Sequence, residues 1–165
     1  MRAGAAAVWS LPLLLAASHG LAQPVSTFVR IRDIAPRIVE DMRYAGPDNF
    51  TGRPVPGYEA GRCLLLKPVA EALSRAAAAA EREGLRLVVH DCYRPQRATA
   101  AFVRWARDLK DEATKASHYP NVPKSALFAQ GYIGLASAHS TGTAVDLSLQ
   151  KTDGTLLDFG SPYDF

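Results

Sequence analysis

Residues 137–149 contain a histidine and an aspartate, His139 and Asp146, whose side chains suit metal binding. From Ala144 onward apolar and polar residues alternate, which predicts a strand with Asp146 opposite its apolar face. Gly142 permits a tight reversal before that strand, so that the imidazole and the carboxylate can converge on one point. Both groups are good zinc ligands. Taken alone, the spacing is weak evidence, and it more often reflects a strand-edge histidine and a turn-facing aspartate that is satisfied by backbone.

A second reactive segment reads Asp-Cys-Tyr-Arg-Pro over residues 91–95. Because Pro95 holds the residue before it extended, Arg94 should project from the end of a strand. Its guanidinium keeps its charge and offers a fork of donors that suits an oxyanion or a carboxylate. The simpler interpretation is a salt bridge with Asp91 or Asp108.

The elements that position these residues indicate an α+β fold. The patterns predict helices over 33–44, 68–83 and about 95–110, and strands at 63–66, 85–92 and 144–149. These alternate irregularly, which favours a small antiparallel sheet with flanking helices over a doubly wound fold. The stripe expected to face the core in the second helix comprises Val69, Ala72, Leu73, Ala76 and Ala80. The last strand should bury Val145, Leu147 and Leu149.

Length and composition bound the class of protein. A chain of 165 residues with 48% hydrophobic and 21% charged residues fits one globular domain and argues against disorder. The net charge of +3 comes from scattered residues, which does not indicate a nucleic-acid partner. The sequence does not indicate an oligomeric state.

The N-terminus has the layout of a secretory signal peptide. Arg2 precedes an apolar run over residues 3–17, and small residues stand at 20 and 22. We expect cleavage after Ala22, which leaves a domain over residues 23–165 that is exported to the periplasm or the cell exterior and free of the membrane. An uncleaved anchor is the alternative, although the run is shorter than the span of about 20 residues that a bilayer needs.

Export bears on the two cysteines, Cys63 and Cys92, which each lie at a predicted strand, 29 positions apart. An oxidising compartment would allow them to form a disulfide, and the alternative is two buried free thiols. Their spacing does not resemble a cysteine-based zinc site.

Five ordered motifs resemble the D-alanyl-D-alanine dipeptidases, zinc enzymes known from vancomycin resistance, and their exported relatives. The resemblance runs from about residue 33 to the last residue. The motifs are Tyr44…Asp48-Asn49-Phe50-Thr51-Gly52, Gly57-Tyr58-Glu59, Asp91-x-Tyr93-Arg94-Pro95, Ser137-x-His139-x-x-Gly142-x-Ala144-x-Asp146 and Gly160-Ser161-x-Tyr163-Asp164-Phe165.

The resemblance implies a zinc dipeptidase, with one Zn²⁺ per chain and the α+β fold shared with related D,D-carboxypeptidases. It implies that His139 and Asp146 bind the zinc ion and that Arg94 stabilises the developing oxyanion. The substrate would be the small dipeptide D-Ala-D-Ala.

The resemblance also implies how the dipeptide is held. Ser137 would bind its carboxylate, Asp164 would bind its free amino group, and Tyr44 would lie near the site. Recognition of both termini would reject longer peptides.

One family feature is missing from this sequence. The family carries a Glu-x-x-His motif near its C-terminus, which supplies the third zinc ligand and the catalytic base, and the 165 residues contain no such motif. We therefore expect a C-terminally truncated domain that binds zinc weakly and is nearly inactive as given. His90 and, less so, His118 are the candidates for a substitute ligand.

Three functions stay open at this stage: a D-Ala-D-Ala dipeptidase, a D,D-carboxypeptidase acting on peptidoglycan stem peptides, and a non-catalytic binder of cell-wall peptides. Asp164 favours the first over the second, because a carboxylate that binds an amine is useful only when the substrate's amino group is close. The dipeptidase reaction serves glycopeptide resistance or cell-wall turnover and D-Ala scavenging, and export slightly favours the latter.

Overall fold

The computed structural model describes residues 27–165. The predicted signal peptide, residues 1–22 with its cleavage point after Ala22, lies outside the described residues. Within residues 27–165 no helix has both the length and the apolar character needed to cross a bilayer.

In the described part of the chain, two small sheets form the β part of the fold. Strands β1 (Phe28–Arg30) and β3 (Leu64–Leu66) pair antiparallel. Strands β2 (Val39–Glu40), β4 (Leu85–Asp91) and β5 (Asp146–Lys151) form the second sheet in the order β2-β4-β5. The β4–β5 pair is antiparallel, and β2 adds a short parallel pair with β4.

Between residues 27 and 165, four α-helices flank these sheets: α1 (Ile31–Ile34), α2 (Lys67–Arg82), α3 (Gln96–Arg107) and α4 (Lys115–His118). In the same range, 3₁₀ turns cover Arg43–Ala45, Lys124–Ala126 and Ala138–Thr141. The α+β class and the small antiparallel sheet with flanking helices are confirmed.

The helix predicted over 33–44 is wrong. Residues 31–45 instead form the short helix α1, strand β2 and a 3₁₀ turn. The local spacing of apolar residues imitated a helix, but the chain turns twice so that Ile31, Ile38 and Tyr44 all reach the core. Pairing of β2 with β4 decides this conformation, and that contact joins residues that are distant in sequence.

The two long helices lie where they were predicted, with small corrections to their buried faces. Helix α2 buries Ala70, Leu73 and Ala77, whereas Ala72 and Ala76 of the predicted stripe are exposed. Helix α3 buries Phe102, Trp105 and Ala106 and ends at Arg107.

Strand β5 also departs from the expected pattern at one position. Leu147, which was expected in the core, is 40% exposed, while Val145 and Leu149 pack partly buried against the core. Leu147 is therefore covered only in part by the described residues, although its neighbours on the same face contact the core.

A disulfide joins Cys63, just before β3, to Cys92, just after β4. The backbone N–H of Tyr93 also donates to the carbonyl oxygen of Leu64 at 2.9 Å. These two links fasten the smaller sheet to the end of β4, where the candidate site begins.

Candidate active site

The two predicted metal ligands meet at the end of the larger sheet. Asp146 is the first residue of β5 and pairs with Asp91, the last residue of β4, across a register shift that follows Val89. His139 lies in the 3₁₀ turn that leads towards β5. Its Nε2 atom is 3.4 Å from Oδ1 of Asp146.

The turn that carries His139 depends on the residues at its two ends. Ser137 caps it, because its Oγ accepts the backbone N–H of His139 at 3.2 Å. Gly142 ends it with a φ of +75°, a conformation that suits glycine. A Cβ at this position would meet the ring of Phe28 at 2.4 Å, so glycine is also required by space.

The hydrogen bond on the far side of the imidazole sets its tautomer. Nδ1 of His139 lies 2.9 Å from the backbone carbonyl oxygen of Cys92, which can only accept, so this nitrogen carries the proton. The lone pair of Nε2 is then free and faces Asp146. Metal-binding histidines are commonly held in this way by a carbonyl on their other nitrogen.

The charges around this pair favour a cation between them. Burial lowers the pKa of His139, but the protonated imidazole could donate from Nε2 to Asp146 and is attracted by the charge of Asp91, and these effects outweigh burial and raise the pKa overall. Burial likewise raises the pKa of Asp146, but its contacts with His139 and the charge of Arg94 lower it overall. A group of carboxylates around one imidazole therefore stabilises positive charge at this point.

The donor pair fits a zinc ion. Two ligands about 2.0–2.2 Å from a tetrahedral zinc lie roughly 3.3–3.6 Å apart, which matches the separation of Nε2 and Oδ1. Asp91 lies close enough to form a third member of the cluster. However, both of its oxygens already accept hydrogen bonds, and its near oxygen faces Nδ1 of His139 at 3.4 Å rather than Nε2. Asp91 therefore lies beside the pair and does not act as a third metal ligand.

Arg94 is held beside the pair by the same buried carboxylate. Its Nε and Nη2 atoms donate to Oδ2 of Asp91 at 3.0 and 2.7 Å. The other oxygen of Asp91 accepts from the hydroxyl of Tyr58 at 2.7 Å and from the backbone N–H of Cys92 at 2.8 Å. The salt bridge with Asp91 thus exists, and it is buried, which fixes the direction of the guanidinium.

A cavity of about 260 Å³ opens in front of these groups. Five residues singled out in the sequence line it, and its walls include the apolar side chains of Phe50, Phe102 and Ile133. The five residues are Tyr44, Arg94, Ser137, Asp146 and Asp164. The fold thus brings together, in a space for a small ligand, groups that lie up to 120 positions apart.

Asp164 presents its carboxylate to this cavity from an unusual backbone conformation. Its φ is +59°, which is uncommon outside glycine, although aspartate tolerates it better than most residues. The hydroxyl of Tyr44 donates to its carboxylate at 2.9 Å, and the hydroxyl of Tyr132 donates to its backbone carbonyl. Burial raises the pKa of Asp164 to about 7, and the charge of Asp146 adds to this effect.

Neither candidate for a substitute ligand lies at the pair. His90 is buried, with Nε2 2.9 Å from Oγ of Ser148, and His118 contacts Ser117. Both line a separate cavity of about 520 Å³ that is bounded by Tyr163. Among residues 27–165 the proposal of His90 or His118 as the third ligand is therefore not supported by their positions.

Three residues of the site were not identified in advance. Tyr58 and Tyr163 stand within the motifs, but their roles depend on contacts between distant segments. Tyr132 lies in a stretch without periodicity, and nothing in the sequence indicated it.

Comparisons with known proteins identify related sequences. Residues 25–165 match a sequence model of a protein family described as D-Ala-D-Ala dipeptidase. A D-alanyl-D-alanine dipeptidase from Enterococcus faecium is 40% identical over 139 residues, which cover 84% of this chain and 69% of that protein. One from Streptomyces coelicolor is 43% identical over 138 residues, covering 83% and 68%. One from Escherichia coli is 34% identical over 131 residues, covering 79% and 58%.

Proposed function

The chain belongs to the D-Ala-D-Ala dipeptidase family, and we propose that it hydrolyses D-alanyl-D-alanine to two D-alanines with one zinc ion per chain. The observation that carries the proposal is the convergence of Arg94, Asp146 and Asp164 on one cavity of about 260 Å³, with Nε2 of His139 3.4 Å from the carboxylate of Asp146. Ligand cavities commonly start at about 300 Å³, so this space suits a very small substrate.

Nε2 of His139 and the carboxylate of Asp146 would hold the zinc ion. When bound, zinc polarises a peptide carbonyl and makes a bound water nucleophilic near neutral pH. Catalytic zinc sites normally have three protein ligands. Residues 27–165 bring together two suitably directed donors, which is one fewer than this number. We therefore expect the 165-residue chain by itself to bind zinc weakly.

The chain's own groups supply recognition of the two substrate termini. The carboxylate of Asp164 would accept the ammonium group of the dipeptide. Oγ of Ser137 already accepts a backbone N–H, so its own proton is available to the carboxylate of the substrate. A free dipeptide satisfies both groups, whereas an N-acylated peptide leaves Asp164 without its partner.

Arg94 would stabilise the negative charge that develops on the carbonyl oxygen. Its Nε and Nη2 atoms donate to Asp91, which fixes the direction of the guanidinium at the wall of the cavity. A donor that is already oriented needs no reorganisation when charge develops, which is the basis of oxyanion stabilisation.

The test uses protein expressed from its complete reading frame, stripped of metal with a chelator and assayed for release of D-Ala. We expect hydrolysis of D-Ala-D-Ala after zinc is restored and none before. Absence of hydrolysis with zinc bound would overturn the proposal.

An N-acetylated D-Ala-D-Ala substrate separates the dipeptidase from a D,D-carboxypeptidase. A dipeptidase that depends on Asp164 should reject it, because the acetyl group removes the positive charge. Cleavage of the acetylated compound at a comparable rate would instead favour the carboxypeptidase.

We also propose that the protein acts outside the cytoplasm, in cell-wall turnover or D-Ala scavenging. The signal-like sequence over residues 1–22 supports this location, and so does the Cys63–Cys92 disulfide, since disulfides persist in oxidising compartments. Cell fractionation tests it: recovery of the protein only from the cytoplasm would contradict this proposal and would favour depletion of a cytoplasmic precursor.

A further inference from the structure

The hydroxyl of Tyr163 links the two carboxylates of the site, those of Asp146 and Asp164. It is 3.3 Å from Oδ2 of Asp146 and 3.2 Å from the hydroxyl oxygen of Tyr44. Tyr44 in turn donates to Asp164 at 2.9 Å. A continuous chain of polar contacts therefore runs from Asp146 through the two tyrosines to Asp164.

The ring of Tyr163 is held in place from behind. The ring of His90 packs against it with centroids 4.9 Å apart. His90 is itself fixed, because its Nε2 atom contacts Oγ of Ser148 and its Nδ1 atom lies 3.4 Å from the backbone carbonyl oxygen of Asp41. The hydroxyl of Tyr163 is thus a fixed donor and not a mobile surface group.

We propose that Tyr163 is a positioning residue that holds the carboxylate of Asp146 and, through Tyr44, the carboxylate of Asp164 at a set separation. This inference rests on the proposed function. In an α-amino dipeptide a single Cα atom separates the ammonium group from the scissile carbonyl. The groups that bind these two parts of the substrate must therefore lie at a short and constant distance from each other.

Two carboxylates in one cavity repel each other, and a donor between them offsets that repulsion. A hydroxyl has one proton, so Tyr163 can serve only Asp146 or Tyr44 fully at one time, which fits the length of both contacts. Removal of this hydroxyl should therefore make the positions of both carboxylates, Asp146 and Asp164, less fixed.

The test is Tyr163→Phe, which keeps the ring against His90 and removes the hydroxyl. We expect zinc affinity, measured by competition with a chromophoric chelator, to fall about 3- to 10-fold, as for loss of one hydrogen bond. We expect KM for D-Ala-D-Ala to rise by a similar factor and kcat to change less. The effects of Tyr163→Phe and Tyr44→Phe on KM should not add, because both variants break the same chain of contacts.

Tyr93→Phe is the matched control. The ring of Tyr93 packs on Phe28, and its hydroxyl has no hydrogen bond among the described residues. This variant should stay within about twofold of the wild type in both measurements. If Tyr163→Phe behaves like Tyr93→Phe in both, the inference is wrong; an unchanged KM with weakened zinc binding would overturn the link through Tyr44.

These outcomes are distinguishable from failure of the proposed function. If the zinc-loaded wild type does not hydrolyse D-Ala-D-Ala, the dipeptidase proposal fails. The comparison of zinc affinity between Tyr163→Phe and Tyr93→Phe still decides whether Tyr163 positions Asp146.

Discussion

His139 donates a hydrogen bond from Nδ1 to the backbone carbonyl oxygen of Cys92 at 2.9 Å, and Cys92 is one half of the disulfide. The backbone N–H of Cys92 also donates to Asp91 at 2.8 Å. One residue, cross-linked to Cys63, therefore orients both the imidazole and the buried carboxylate that holds Arg94.

The disulfide should consequently matter for zinc binding as well as for stability. Replacement of both cysteines, Cys63→Ala with Cys92→Ala, should lower the free energy of unfolding by about 3–4 kcal/mol for a loop of this length. It should also weaken zinc binding, because the peptide of Cys92 loses its fixed position. Denaturant titration and chelator competition measure the two effects.

Reduction of the wild type provides the control for this prediction. A reductant should reproduce the behaviour of the double variant and have no effect on the double variant itself. Unchanged zinc affinity in the folded double variant would show that the backbone of Cys92 is positioned without the cross-link.

The histidines offer a matched comparison for the metal site. His139→Ala should lower zinc affinity at least about 10-fold, since it removes one of the two paired donors. His118→Ala should leave zinc affinity unchanged, because His118 lies in α4 and contacts Ser117 instead. Isothermal titration of each metal-free protein with zinc distinguishes them, and equal losses in the two variants would rule out the His139–Asp146 pair as the zinc site.

Arg94 should contribute to turnover rather than to metal binding. Arg94→Ala should lower kcat about 10²–10³-fold, the usual cost of losing one oxyanion donor, with little loss of zinc content. Steady-state kinetics with metal analysis of the same sample tests this. Equal losses of turnover and zinc would show that Arg94 is structural.

Two further variants distinguish the contributions of the positive charge of Arg94, of its donor geometry and of its effect on folding. Arg94→Lys keeps a cation beside the buried Asp91 but loses the fork of donors. This variant should therefore fold well, but its kcat should remain low. Arg97→Ala removes an exposed arginine that pairs with Glu59, and its kinetics should match the wild type.

The sequence could predict those elements whose signals are local. Helix α2 has Pro68 in its first turn and is followed closely by Gly84, which has a φ of +75°, and its bounds differ from the prediction by one residue at each end. The motif around His139 and Asp146 is local too, because a short turn and one strand hold both residues. The proximity of two residues that a short turn and one strand hold can therefore be predicted from the sequence.

The contacts that complete the site could not be predicted in this way. Tyr58 reaches Asp91 across 33 positions, and Tyr163 reaches Tyr44 across 119. Such pairs are set by the packing of whole elements, which no periodicity records. The same reason explains the failure at residues 33–44, where pairing of β2 with β4 overrides a helical pattern.

Asp164 should make both substrate binding and stability depend on pH. Burial raises the pKa of its carboxyl to about 7, so the carboxylate that binds the ammonium group forms as the pH rises through 7, and KM should fall over the same range. Because the folded-state pKa lies above the unfolded value, ionisation of Asp164 removes stability as the pH rises from about 4 to 7. Asp164→Asn should therefore raise KM and remove its pH dependence near 7, while raising the melting temperature at pH 8 but not at pH 4. A melting-temperature difference that is the same at both pH values would contradict this role for the buried carboxyl.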